Sequence, residues 1–250
     1  MSSLPDEHDP VAPLAAGKRF YFWASLAHHR VSSFGHFPHP PTLPARTLTA
    51  AASAPPHTRE QLGGSLLSAL ERRRSTRTFG NTPLAQHELM TLLWATYGGL
   101  ESGRRTVPSS GSVYPLRLRV VVRAVEGLAP QVYAFDHHNG ELTPEPEVPA
   151  PMELQTWYVT RHVNFDGSAA LVVMIGDLSR IAAVYGERGY RFLHLEAGHA
   201  GQNLCLAASL LDVPHVALGG FDDDVVNRAF HLEGSDSFVV YSVLLGCHQG

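Results

Sequence analysis

Apolar residues fall at helical spacing from Leu62 through Leu66, Leu67 and Leu70, and the run then breaks into the polar segment RRRSTRTF. Positions three and four apart share one helix face, so this pattern predicts an amphipathic helix that stops at the arginines. A second helical repeat, Leu84, Leu89, Leu92, Leu93 and Trp94, follows Thr82-Pro83 and ends at Gly98-Gly99. Threonine serves as a cap and proline fits the first turn, so the helix is expected to start there. Beyond a turn-rich stretch the pattern changes to strands. One is expected over 116–125, and 131–136, the His-His-Asn-Gly turn and Glu141-Leu142 read as a β-hairpin. A continuous apolar run over 169–176 reads as a buried strand. Strands over 213–218 and 237–245 flank a short helix over 222–230. Strands and helices without strict alternation predict an α+β architecture.

The segment 185–203, YGERGYRFLHLEAGHAGQN, is expected to be a buried helix, yet its residues fit one poorly. Phe192, Leu195, Leu204 and Leu206 supply apolar content, but Arg188, Arg191, Glu196, His199, Gln202 and Asn203 are set among them with four glycines. A glycine inside a helix costs about 1 kcal/mol relative to alanine, and a buried polar group costs more unless it is paired. Both penalties in one element point to a site or to close contact with another helix. Arg191 and Glu196 are candidates for an internal ion pair.

Half of the 18 prolines lie in the first 60 residues, which excludes a long helix or a central strand there. Residues 1–59 are therefore read as a proline-rich arm, disordered over about its first 15 residues, and 60–250 as one domain. A formal charge of −4 gives no case for nucleic acid. No apolar run is long enough to span a membrane, and MSSLPDEHDP lacks the features of a secretory signal. Cys205 and Cys247 are too few for a disulfide framework, so a cytoplasmic location is expected. Lys18 is the only lysine, which leaves the main body without Schiff-base chemistry or a P-loop lysine.

The basic run Arg72-Arg73-Arg74-Ser75-Thr76-Arg77 reads either as a solvated cluster at a helix end or as a phosphate site. Pro108-Ser109-Ser110-Gly111-Ser112 reads either as a turn or as a loop presenting hydroxyl and N–H groups to a ligand. His194, Glu196 and His199 invite a zinc reading, but a separation of five places the histidines about 140° apart around a helix, and no metal is expected. The glycine spacing of 98–103 is that of a P-loop, but Arg104 and Arg105 stand where lysine and a hydroxyl residue belong. There is no GxSxG nucleophile elbow.

Taken together, RRRSTRTF, PSSGSVYP, YGERGYRFLHLEAGHAGQN and ALGGFDDD resemble, in order and spacing, the flavin-dependent nitroreductase superfamily. They are most similar to its SagB-type dehydrogenase branch, which includes thiazoline and oxazoline oxidases. The resemblance implies a central, mostly antiparallel sheet flanked by helices, and a homodimer with FMN in clefts at the subunit interface. It implies that Arg73, Arg74, Ser75 and Arg77 grip the FMN phosphate and ribityl chain. Pro108, Ser109, Ser110 and Ser112 would lie beside the isoalloxazine, and Leu218, Gly219 and Gly220 at its pyrimidine edge. His199, Gln202 and Asn203 would sit on an interface helix whose small residues Ala197, Gly198, Ala200 and Gly201 admit a close partner.

Two departures stand out. Azoline-oxidising relatives carry a Lys-Tyr pair before the GxRxYR stretch, whereas this chain has Val184-Tyr185, and its terminus LLGCHQG offers only His248 as a basic residue. The implied function is FMN-dependent oxidation of thiazoline or oxazoline rings to azoles in a peptide-like natural-product substrate, with Tyr185 as acid/base and other biosynthetic enzymes as further partners. Two alternatives remain open. One is an NAD(P)H-dependent reductase of nitroaromatics, quinones or similar acceptors; the other is a non-catalytic accessory subunit binding a peptide or partner enzyme through the arm.

Overall fold

The computed structural model describes residues 66–148, 154–159 and 162–249, so the predicted arm and Leu62 lie outside the described residues. Six strands form one sheet: β1 (Leu116–Val122), β2 (Val132–Asp136), β3 (Glu141–Pro144), β4 (Ser168–Asp177), β5 (His215–Leu218) and β6 (Ser237–Gly246). Their order is β3-β2-β1-β4-β6-β5, and every neighbouring pair is antiparallel. The expected α+β fold, a mostly antiparallel sheet flanked by helices, is what the chain adopts.

β4 takes the centre because it can be covered on both sides. Ala170, Val172 and Met174 face one core with α2 (Gln86–Tyr97) and α4 (Gly189–Leu210). Leu171, Val173 and Ile175 face a second core with Trp157, Phe230 and Val226 of α5 (Asp223–Ala229). Alternate residues of a strand point to opposite faces, so an unbroken apolar run is what such a position requires.

The first predicted helix is α1 (Leu66–Arg72), ending at the arginines as expected. The second starts later than Thr82-Pro83. Thr82 and Leu84 are drawn into isolated bridges with His248 and Val125, so the chain stays extended to Ala85. Glu88 then caps α2 by accepting the Ala85 N–H at 3.0 Å. The 185–203 segment also begins differently. α3 (Leu178–Tyr185) ends at Tyr185, a single 3₁₀ turn (Gly186–Arg188) follows, and α4 runs on to Leu210.

α4 is not buried all round. Leu193, Ala197, Ala200, Leu204 and Ala208 face the sheet and α2, while His194, Leu195, Gly198, His199 and Gln202 form an exposed ridge. Leu195 is 53% exposed on that ridge. No helix among the described residues is long and apolar enough to cross a membrane.

Candidate functional site

The predicted ligand contacts fall into two groups on opposite flanks of α4, which packs against α2 on one side and against β6 and β5 on the other. On the β5 side, the chain leaves α1 extended because the Thr76 N–H donates to the His215 carbonyl at 2.8 Å. Extended backbone sends successive side chains to opposite sides. Arg74 and Thr76 thus line a cleft of 870 Å³ with Glu71 and Arg72 at the end of α1 and with Ser209, His215 and His248. Arg73, Ser75 and Arg77 occupy the alternate positions. Arg72 pairs with Asp212, whereas Arg73, Arg74 and Arg77 are exposed and have no acidic partner among the described residues.

His215 is buried in this cleft with Nδ1 2.9 Å from the Val213 carbonyl. A carbonyl only accepts, so Nδ1 carries the proton and Nε2 is left as an acceptor with no described partner. Burial, assisted by the nearby Arg73 guanidinium, holds the imidazole below its ordinary titration range and hence neutral. Free guanidiniums suit a phosphate, since arginine forks match phosphate oxygens bidentately; His215 Nε2 is sealed from solvent and does not face the cleft's opening. Farther along β5, Leu218 is buried and its carbonyl accepts from Ser242 at 2.9 Å, while Gly219 and Gly220 are exposed. Exposed glycine backbone fits the edge of a flat ring.

On the α2 side lies the Ser109–Ser112 loop. Ser109 is committed within the protein: Oγ accepts the Tyr114 N–H at 2.8 Å and bonds to Glu196. Pro108 and Ser112 are exposed and Ser110 is half-buried. The Tyr185 hydroxyl rests on this loop, 2.6 Å from where a Cβ on Gly111 would stand. Its ring meets Phe192 edge-on with centroids 4.8 Å apart. Val184 packs half-buried against the core.

Between the two groups, His199 and Gln202 lie exposed on the α4 ridge, but the Asn203 side chain is tied to the Thr106 carbonyl at 2.9 Å. The expected Arg191–Glu196 pair does not form. Five residues apart on a helix, they point different ways: Arg191 is exposed, and Glu196 is buried and receives the Tyr97 hydroxyl. His194 and His199, also five apart, point different ways around the helix, and no metal-holding cluster is found among the described residues.

Three residues escaped the sequence reading. Tyr97 closes α2 beside Glu196. Arg105 lies over the rings of Tyr97 and Tyr114 at 4.3 and 4.8 Å. His137 sits 2.7 Å from the Arg105 guanidinium. No spacing signal joins them, because their contacts span three separate elements.

Comparison with known proteins bears on the family and the fold. The sequence profile of the nitroreductase family matches residues 70–247. A nitroreductase-like protein of Methanocaldococcus jannaschii is 34% identical over 172 residues, covering 67% of this chain and 85% of the relative. A nitroreductase-like protein of Ralstonia eutropha, known from a crystal structure, superposes with a TM-score of 0.67 at 23% identity, covering 87% of this chain and 97% of that one. A chain of the Escherichia coli microcin synthetase complex McbBCD, solved with truncated pro-MccB17 bound, shares the fold at a TM-score of 0.59 and 18% identity. That match covers 96% of this chain and 99% of the other.

Proposed function

The chain belongs to the nitroreductase family, and from that premise we propose that it is an FMN-dependent oxidoreductase that acts as a homodimer and dehydrogenates thiazoline or oxazoline rings in a peptide-like substrate to azoles. The observation that carries this reading is the Tyr185 hydroxyl seated on the Ser109–Ser112 loop. It puts a proton-transferring group on one wall of a surface whose other parts suit a flavin. When bound, FMN supplies the hydride acceptor.

In this reading the Arg72–Arg77 strip holds the phosphate and ribityl end, and Gly219 and Gly220 address the ring. The Ser110 and Ser112 hydroxyls and the Tyr185 phenol face it from the other side. The two groups flank the exposed ridge of α4, so a two-fold pairing along that ridge would set the basic strip of one protomer near the Ser109–Ser112 loop of its partner. Acting as the phenolate, Tyr185 takes the ring proton while hydride leaves the adjacent ring carbon. The peptide-bound microcin complex that shares the fold lends support to a peptide-like substrate.

A second reading draws on Val184, which packs against the core where azoline oxidases carry lysine, and on the nitroreductase-like relative. It is reduction of a small acceptor with hydride from NAD(P)H. An anaerobic absorbance titration of FMN-loaded protein separates the two. Bleaching by a thiazoline peptide, with loss of two hydrogen masses from it, supports the dehydrogenase. Bleaching by NAD(P)H and not by the peptide selects the reductase. Failure to retain FMN at all removes both and leaves the accessory-subunit alternative.

A further inference from the structure

Glu196 is the only fully buried acidic side chain among the described residues, 3% exposed in the middle of α4. Its partners are two hydroxyls, Tyr97 Oη and Ser109 Oγ. A carboxylate only accepts, so both hydroxyls turn their protons toward it. Their lone pairs are then left for one backbone donor each. Ser109 Oγ accepts the Tyr114 N–H at 2.8 Å, and Tyr97 Oη accepts the Leu116 N–H at 3.1 Å. One carboxylate thereby fixes two hydroxyls, which in turn fix the backbone where the loop ends and β1 begins.

The backbone so held is strained. Ser112 and Tyr114 have φ of 55° and 50°, beside Gly111 at 59°. Left-handed φ costs a side-chain-bearing residue about 1–2 kcal/mol, and it persists only where the surroundings over-determine it. Global stability alone is a poor reason for a carboxylate here. Burial pushes Glu196 above the usual carboxylate range, which is the mark of a fold that carries the charge at a cost.

We propose that Glu196 is a positioning residue: acting through Ser109 and Tyr97, it fixes the Ser109–Ser112 loop under the Tyr185 hydroxyl and so sets one wall of the flavin site. The second half of this inference rests on the proposed flavin reading; the clamp itself does not. Glu196→Gln is isosteric but presents an N–H to one of the two hydroxyls. That hydroxyl loses the acceptor for its proton, so its orientation, and with it the bond from its backbone donor, is no longer fixed.

The test is backbone amide exchange of the FMN-loaded full chain, read beside the visible circular dichroism of the bound flavin, for Glu196→Gln, Ser109→Ala and Tyr97→Phe. In Ser109→Ala, exchange rises roughly tenfold at Tyr114 only, and in Tyr97→Phe by the same factor at Leu116 only. In Glu196→Gln it rises at one or both. Protection of β4 stays unchanged and the flavin dichroism shifts in all three. Unchanged exchange at both amides in Glu196→Gln overturns the clamp. A rise of equal size in β4 also overturns it, because that is the signature of a merely structural role. A loosened loop with unaltered flavin dichroism overturns the wall. Wild-type protein that takes up no FMN sinks the functional reading and the wall with it, while exchange of the flavin-free chain still decides the clamp. Should Glu196→Gln not fold, Glu196→Asp, whose carboxylate stands one methylene farther from both hydroxyls, decides the same question by the same two amides.

Discussion

A methyl group at position 111 would meet two obstacles. The backbone there has φ +59°, and the Cβ would lie 2.6 Å from the Tyr185 hydroxyl. Gly140 has a comparable φ of +70° with no atom of the described residues within 4 Å of an added Cβ. Gly140→Ala therefore carries only the backbone penalty of roughly 1–2 kcal/mol, and Gly111→Ala is expected to cost more, as read by urea denaturation. Removing the hydroxyl with Tyr185→Phe should recover the excess in a double-mutant cycle; no coupling would mean that the two do not touch. The motif PSSGSVYP and Tyr185 were both legible in the sequence, but their contact was not. Residue type names the chemistry a side chain can do and leaves its partner open. Ser109 and Asn203, read as ligand contacts, use their polar atoms on Tyr114, Glu196 and Thr106. Glu196, read as the partner of Arg191, is bonded to Tyr97 instead.

At the scale of elements, the β2–β3 hairpin is pinned to the α2 side of the molecule through a histidine. Arg105 can only donate, so His137 Nε2 must accept, and the contact requires a neutral imidazole. Burial first, and the Arg105 charge second, push His137 down to about 3. An unfolded histidine takes up a proton near pH 6.5, so between that pH and about 3 the unfolded chain binds one more proton than the folded one. Acidification across this window therefore favours unfolding. The urea midpoint is expected to fall from pH 7 to pH 4.5 more steeply in wild type than in His137→Asn; equal slopes would show that the pairing contributes nothing. The elements themselves were largely readable, β4 from its unbroken apolar run and α2 from its helical repeat. The core face of α4, with Leu193, Ala197 and Ala200, was instead hidden among residues such as Leu195 that are apolar yet lie exposed. What misled was Thr82-Pro83, a good local helix start that is overridden by bridges to His248 and Val125, far away in the chain. Local signals cannot register a competitor that arrives from the other end of the sequence.

Two glycines of α4 separate what the chain explains by itself from what needs a partner. A Cβ on Gly201 would lie 2.4 Å from the Tyr241 ring, so the close seat of α4 on β6 accounts for that glycine. Gly198, on the exposed ridge beside Leu195 and His199, has no atom within 4 Å of an added Cβ. An exposed glycine inside a helix gives up about 1 kcal/mol relative to alanine, and no packing among the described residues repays it. On the dimeric reading the reason is close approach of a second α4. Gly198→Trp is then expected to leave the circular dichroism of the fold intact and to shift the sedimenting species from dimer to monomer. It should also cost the protein its flavin, since the basic strip and the Ser109–Ser112 loop would no longer face each other across the ridge. Wild type diluted through its own dimer dissociation should lose flavin over the same concentration range. If Gly198→Trp sediments as wild type does and keeps its FMN, the ridge is not the pairing surface, and each protomer would have to hold the cofactor with its own two flanks.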